Sequence, residues 1–173
     1  GYYESTLSLN TDREDGCVRV TLDVTTGPPV ILQRADIRLT GDAANDPVFN
    51  QLVANAQLAI GQRLEHDQYT TLKTNLQQHL ISRGYVLGNL TRHQLSVDTR
   101  KRQAIITLHV DSGPRYDFGA ITLNGSELRD KLVNAYVGFS RGEPFNSKQL
   151  LETQQAFLGA GYFSAVRVQK GTP

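Results

Sequence analysis

The side chains that could carry chemistry are few and widely spaced. The four histidines are His66, His79, His93 and His109, and no two of them have the i, i+4 spacing of a helical metal-binding pair. We interpret them as ordinary surface histidines and expect no metal site and no cofactor. Cys17 is the single cysteine, so neither a disulfide nor a cysteine-based zinc motif is available within the chain.

No nucleophile or phosphate-binding motif is present. Asn124-Gly125-Ser126 resembles part of a nucleophile elbow, but the G-x-S-x-G pattern is missing, and a turn followed by a helix-capping Ser126 accounts for these residues. Neither G-x-x-x-x-G-K-[ST] nor G-x-G-x-x-G occurs. We therefore predict that the chain is not an enzyme. One alternative stays open, a carboxylate–histidine site assembled from residues distant in sequence.

One basic cluster, Arg100-Lys101-Arg102, stands out in a chain whose net charge is only +1. We favour a solvated hairpin tip, and the functional alternative is a contact with a phosphate or an acidic partner. Because no aromatic residues are interleaved with these cations, nucleic-acid binding is not expected. A content of 39% hydrophobic and 20% charged residues is typical of globular domains.

The chain repeats itself. Gly1-Tyr2-Tyr3 returns as Gly84-Tyr85-Val86 and as Gly161-Tyr162-Phe163, and Thr26-Gly27-Pro28 returns as Ser112-Gly113-Pro114. Markers that recur in one order indicate tandem modules of about 80 residues. We predict three segments, residues 1–30, 31–114 and 115–173, of which only the second is a whole module. The third lacks its last strand, so we expect a fragment of something longer.

Alternating apolar residues predict strands. Val18, Val20, Leu22 and Val24 alternate with polar residues, as do Ala104, Ile106, Leu108 and Val110. A weaker alternating run precedes each of them, Leu7 with Leu9 and Leu95 with Val97, across charged connectors at 12–16 and 98–102. Each pair of runs predicts a hairpin with one apolar face, and in the first segment the helices that would cover this face are missing.

Two helices are predicted between the strands of a module. In the second module Asp46 caps a helix with the stripe Phe49, Leu52, Val53 and Ala56, and Asp67 opens one with Tyr69, Leu72, Leu76 and Leu80 inward. In the third module Ser126 caps the stripe Leu128, Leu132, Val133 and Tyr136, and Asn146 or Ser147 opens the last helix, with Leu150, Leu151, Phe157 and Leu158 inward. Gly84 and Gly161 end the second helices in left-handed caps. The module is therefore α+β, in the order β-α-α-β-β, with a three-stranded sheet covered on one face by two helices.

This pattern resembles the polypeptide-transport-associated (POTRA) domain of the Omp85 superfamily. The segments that carry the resemblance are DSGPRYDFG at 111–119, LNGSELRD at 123–130, GEPFNSK at 142–148 and GYF at 161–163. Within the superfamily these segments are most similar to the TamA family, the outer-membrane subunits of translocation and assembly modules.

The resemblance implies a protein-binding scaffold at the periplasmic face of the bacterial outer membrane. The implied partners are a TamB-like, inner-membrane-anchored subunit and outer-membrane protein clients such as autotransporters, with membrane attachment through a barrel absent from these residues. A rival reading is the POTRA array of a two-partner secretion transporter, which captures one exoprotein.

The resemblance also implies where partners bind. The strand before the hairpin turn lies at the sheet edge in POTRA domains, which points to Arg92, His93, Gln94, Leu95, Ser96 and Val97. These residues contain no proline and one charge, so they offer free N–H and C=O groups to an extended peptide by β-augmentation. A neighbouring domain covering this edge is the alternative. Gly27-Pro28 and Gly113-Pro114 are the predicted inter-domain hinges, short and semi-rigid.

Overall fold

A computed structural model describes residues 1–14, 16–56, 58–121, 135–161 and 166. The chain divides into two compact units. The first comprises Gly1–Arg38, Gln51–Thr74 and Leu90–His109, and the second comprises Leu39–Asn50, Asn75–Asn89 and Val110–Pro173. The division into modules at 1–30, 31–114 and 115–173 remains a prediction.

The first two strands, β1 (Thr6–Glu14) and β2 (Cys17–Thr25), form the predicted antiparallel hairpin. Its turn is shorter than expected, because the strands extend through most of the charged connector and Gly16 takes a positive φ of 80°. Leu7 faces Val24 and Leu9 faces Leu22. The predicted apolar face is present and uncovered: every residue of β2 is exposed, and Val18, Val20, Leu22 and Val24 are 53–59% accessible. Alternation predicted the face correctly, but burial requires a covering layer that a two-stranded sheet does not have.

The second sheet contains β3 (Ile31–Thr40), β4 (Asn89–Asp98) and β5 (Gln103–Asp111) in the spatial order β3-β5-β4. Two helices, α1 (Pro47–Ala54) and α2 (His66–Ser82), lie between β3 and β4 in sequence. The β-α-α-β-β order and the three-stranded sheet are therefore confirmed. A short 3-10 helix at Asp42–Asn45, not predicted, precedes α1.

The helix ends follow the predicted capping chemistry. Asp46 accepts a hydrogen bond from the Val48 backbone N–H at 3.1 Å, which satisfies one free donor at the start of α1. Gly84 ends α2 with φ 90°, and the Tyr85 N–H donates to the Leu80 carbonyl at 2.9 Å. This six-to-one bond is the Schellman motif. Helix α2 begins at His66, one residue earlier than expected, which places Asp67 in its first turn.

Each unit has its own buried apolar residues. The first unit buries Val30, Leu32, Leu64, Tyr69, Leu72, Ala104, Ile106 and Leu108. The second buries Ala43, Phe49, Leu76, Leu80, Tyr85, Val110, Phe118, Phe145 and Phe157. The predicted inward stripe of α2 and the inward residues of β5 are thus confirmed. Of the predicted α1 stripe only Phe49 is fully buried, and Leu52, Val53 and Ala56 are half-buried.

A third helix, α3 (Ser147–Gly159), begins after Asn146, whose side-chain oxygen accepts the Lys148 N–H at 3.0 Å. This bond confirms Asn146 as the N-cap. Of the predicted inward residues of α3, Phe157 is buried and Leu150 is half-buried, whereas the prediction is wrong for Leu151 and Leu158, which are 53% and 42% exposed. Phe118 stacks on Phe139 with ring centroids 3.8 Å apart. Several predicted features lie outside the described residues. They are the cap at Ser126, the stripe residues Leu128, Leu132 and Val133, the aromatic Tyr162 after the left-handed cap, and the final strand. None of the helices in the described parts is long and apolar enough to cross a membrane.

Candidate functional site

The predicted partner-binding residues lie on an edge strand. β4 pairs only with β5 in the three-stranded sheet, so one side of β4 is not paired with another strand of that sheet. The side chains of Arg92, His93, Gln94 and Ser96 are exposed. Leu95 and Val97 are half-buried. The structure therefore places the six predicted residues together on an accessible strand, and backbone hydrogen bonding is the chemistry that such an edge offers.

The hairpin tip after β4 holds the basic cluster. The Asp98 carboxylate accepts the Lys101 backbone N–H at 2.9 Å, and Arg102 has a positive φ of 55°. The carbonyl of Arg102 accepts the Ile31 N–H at 2.9 Å. These bonds order the turn through its backbone. The side chains of Arg100, Lys101 and Arg102 stay exposed and make no ion pair with any residue that the structure describes.

The predicted hinge glycines both adopt left-handed backbone conformations. Gly27 has φ 69° and Gly113 has φ 59°. A Cβ at position 27 would lie 2.7 Å from the Glu4 carbonyl oxygen, so the chain passes too close there for any side chain. Glycine is therefore required by conformation at both positions and by space at Gly27. The semi-rigid hinge role of Gly27, Pro28, Gly113 and Pro114 stays a prediction.

The same pattern of backbone hydrogen bonds follows both Gly-Pro pairs, Gly27-Pro28 and Gly113-Pro114. In the first unit the segment beginning at Val30 bonds to Gly1 and to the loop before α2. Five bonds of 2.8–3.1 Å make this pattern, written donor to acceptor: Val30 to Gly1, Leu64 to Val30, Leu32 to Gln62, Gly61 to Leu32 and Gln62 to Ala59.

In the second unit the segment beginning at Tyr116 makes the corresponding bonds to Gly84 and to the loop before α3. The five bonds, 2.8–3.2 Å long, are Tyr116 to Gly84, Phe145 to Tyr116, Phe118 to Glu143, Gly142 to Phe118 and Glu143 to Ser140. A bridge accompanies each set, Ile31 with Arg63 and Asp117 with Pro144. The sequence repeat is therefore also a repeat of backbone hydrogen bonding.

A buried ion pair, which the sequence did not reveal, lies in the second unit. The Asp46 carboxylate accepts two hydrogen bonds from the Arg83 guanidinium, at 2.8 and 3.2 Å, and one from the Tyr85 hydroxyl at 3.1 Å. The Asp46 side chain is 5% exposed and that of Arg83 is 27% exposed. Only the helix-capping role of Asp46 is visible in sequence, because Arg83 lies 37 residues away.

The electrostatics of this cluster follow from its hydrogen bonds. Burial opposes ionisation of Asp46, but the donors from Arg83, Val48 and Tyr85 outweigh it and hold the pKa of this carboxyl below its ordinary value. Burial raises the pKa of the Tyr85 hydroxyl, and its bond to Asp46 raises it further. Asp46 is thus a structural carboxylate that stays ionised at neutral pH.

Arg115, the residue after Gly113-Pro114, contacts the same cluster. Its guanidinium lies 5.9 Å from the centre of the Tyr85 ring, and its Nε donates to the Arg83 carbonyl at 2.9 Å. Its backbone N–H donates to Asp42 at 2.9 Å. Arg115 is therefore held by three contacts, and all of them lie within the second unit.

The histidines are not brought together. His66 bonds to the Tyr3 hydroxyl, His79 to the Asn75 carbonyl, and His109 to Asp36 at 3.3 Å. The hydrogen bond from Arg38 is the main reason that the pKa of Asp36 is lowered, with His109 contributing. Within the described residues no group of three or more His, Cys, Asp or Glu side chains is arranged to hold a metal ion.

Comparison with known proteins gives a family match over part of the chain and a similar fold. Residues 116–173 match the POTRA family model, described as "Surface antigen variable number repeat". The structure of Haemophilus influenzae BamA POTRA3-5 aligns over 96% of this chain at 20% identity, with a TM-score of 0.54, and the chain spans 66% of its length. At this identity the likeness shows the fold.

Two cyanobacterial structures align less closely. POTRA1-3 of the periplasmic domain of Omp85 from Anabaena matches at 18% identity and TM-score 0.32, over 94% of this chain and 66% of that one. The N-terminal domain of Omp85 from Thermosynechococcus elongatus matches at 20% identity and TM-score 0.35, over 98% and 70%. The family match and the BamA alignment lead to one conclusion: residues 116–173 match the POTRA family by sequence, and the fold of the chain is the POTRA fold.

Proposed function

We propose that this chain is a periplasmic, protein-binding scaffold of an Omp85-superfamily outer-membrane assembly factor, and that it receives extended client strands by β-augmentation at β4. The observation that carries the proposal is the position of β4, an accessible strand at the sheet edge whose outer side is not paired within the sheet. A client strand laid there forms backbone hydrogen bonds that do not depend on its sequence. Such binding suits a receptor with many clients.

The POTRA match over 116–173 supports the superfamily, and the tandem markers support a chain of modules at 1–30, 31–114 and 115–173. Within the superfamily we propose a TamA-like protein. Its partner is then a TamB-like subunit anchored in the inner membrane, and its clients include autotransporters. The proposed contacts are made by backbone groups and surface side chains, and the proposal includes no catalytic step and no cofactor.

The experiment uses two seven-residue peptides of alternating Val and Thr. One has ordinary amides, and the other carries an N-methyl group on every residue, which removes the backbone donors along both edges. On titration into the isotope-labelled 173-residue chain, we expect the first peptide to shift and protect the amides of Leu90–Val97. We expect the methylated peptide to leave them unchanged, because it cannot complete the ladder. Equal binding of the two peptides, or protection confined to other strands, would refute β-augmentation at β4.

The partner is tested separately. A purified TamB-like subunit should bind the chain by size-exclusion chromatography, whereas a large secreted exoprotein should not. The reverse result would place the chain in a two-partner secretion transporter.

A further inference from the structure

We infer, resting on the proposed function, that the β4 edge selects acidic client strands, with Arg92 and the basic tip Arg100-Lys101-Arg102 supplying the recognition. The unpaired backbone edge and the basic side chains are parts of one continuous segment in the first unit. A client strand added beside β4 therefore has basic side chains available to pair with its carboxylates, both beside the strand and at its end. Backbone pairing supplies the general affinity, and charge supplies the choice of client.

The basic side chains of this segment are available to bind a client. The side chains of Arg92, Arg100, Lys101 and Arg102 are exposed and form no ion pair with a residue in the described parts of the chain. The single acidic residue of the segment is Asp98, and its carboxylate accepts a backbone N–H within the turn. Arginines elsewhere, such as Arg38, Arg63 and Arg83, already pair with carboxylates.

The spacing fits a short strand. Arg92 lies six residues before Asp98, where β4 ends and the tip begins, and a strand rises about 3.3 Å per residue, so roughly 20 Å of edge lies between Arg92 and the tip. A client of about seven residues spans that length. Acidic side chains near its two ends then face Arg92 and the tip, at the distances of ordinary cross-strand pairs.

The same chemistry favours a polypeptide over a membrane surface. The segment from Arg92 to Arg102 contains no Trp, Tyr or Phe, and the whole chain carries a net charge of only +1. Membrane-surface segments combine larger basic clusters with apolar or aromatic anchors. Alternating backbone donors and acceptors beside the cations match a polypeptide strand, whereas a lipid phosphate group supplies acceptors alone.

The test compares three peptides with the same seven-residue Val-Thr core, carrying Glu, Gln or Lys pairs at both ends, on the intact 173-residue chain. Each exposed ion pair changes affinity by a factor of about 1.4 to 5. We therefore expect the Glu peptide to bind roughly tenfold more tightly than the Gln peptide and the Lys peptide to bind weakest. The differences should disappear near 1 M salt, where the screening length is about 3 Å.

The variant Arg100→Glu/Lys101→Glu should abolish the preference for the Glu peptide and leave binding of the Gln peptide unchanged. Arg13→Glu/Arg141→Glu makes the same change in net charge on exposed residues outside the β4 edge and its tip, and it should keep the preference. Unchanged melting of both variants shows that the fold is intact.

Equal affinities of the Glu and Gln peptides would overturn the acidic preference while leaving β-augmentation standing. Failure of every peptide to bind would overturn both. Binding of the chain to vesicles with anionic headgroups, lost in Arg100→Glu/Lys101→Glu while the peptides do not discriminate, would assign the tip to lipid phosphate and also overturn the inference.

Discussion

Replacement of Asp46 by Ala should destabilise the second unit by far more than a typical ion-pair deletion. The carboxylate caps α1, pairs with Arg83 and holds the Tyr85 hydroxyl, so one substitution removes three interactions. Loss of the cap costs about 1 kcal/mol. A buried hydroxyl left without a partner costs roughly 1–3 kcal/mol. Because Arg83 is 27% exposed and can turn to water, we assign only about 1 kcal/mol to the ion pair.

The free energy of unfolding should therefore fall by roughly 3–5 kcal/mol, and the loss is this large because the site is buried. The control is Asp36→Ala, which removes another aspartate bonded twice to an arginine, Arg38, but at a half-buried position where the carboxylate caps no helix and bonds no buried hydroxyl. It should cost less than about 1 kcal/mol. Urea unfolding followed by circular dichroism measures both, and with a slope of about 2 kcal/mol per M the Asp46→Ala midpoint falls by about 2 M. Equal effects of the two substitutions would refute the reasoning.

The charge of Asp46 also predicts a pH dependence. Its pKa is lower in the folded protein than in the unfolded chain, so its contribution is present above the unfolded value of about 3.9 and is lost as the pH falls through the folded value. Asp46→Asn keeps the cap, since asparagine caps as well as aspartate. Between pH 5 and 3 the variant should therefore lose less stability than the wild type. Parallel loss in the two proteins would show that Asp46 does not titrate as described.

Three further substitutions test the packing and the backbone. Leu76→Asp places a charge at a position with no exposed surface, and should cost about 3 kcal/mol or more by urea unfolding; a midpoint near that of the wild type would show that this face of α2 is not buried. Gly84→Ala should destabilise the protein far more than Gly61→Ala, although both glycines have φ near 85–90°. The reason is that a Cβ at 84 would lie 2.7 Å from the Tyr116 carbonyl oxygen, whereas a Cβ at 61 meets nothing within 4 Å. Comparable melting temperatures of the two variants would contradict this. Leu22→Thr on the bare face of the first hairpin should reduce binding of a hydrophobic dye and self-association in light scattering without lowering stability, and a loss of stability would show instead that this face is covered.

Local patterns predicted most of the elements, because their causes lie within a few residues. Alternation located β2 and β5, an aspartate before a proline located α1, and Gly84 located the end of α2. These features depend on side-chain periodicity and on the chemistry of helix ends, which neighbouring residues decide. The inward stripe of α2 followed for the same reason, since its spacing reports one face of the helix.

Features that depend on distant residues could not be predicted. The partner of Asp46 could have been any basic residue, and only the folded chain selects Arg83. The alternation of β2 is as regular as that of β5, yet β2 is exposed and β5 is buried, because burial belongs to the layer that covers a strand. The edge position of β4 came from the family resemblance, since a single strand does not reveal its neighbours in a sheet.

The two junctions have a consequence for how such proteins change over evolutionary time. All ten hydrogen bonds that define them join main-chain atoms, and the residues at matching places differ: Val30 stands where Tyr116 does, and Leu64 where Phe145 does. A joint made by the main chain tolerates substitution at nearly every position except its glycines. Repeats of this pattern can therefore diverge in their side chains, as Pro29 and Arg115 do at matching places, while the backbone hydrogen bonds stay the same.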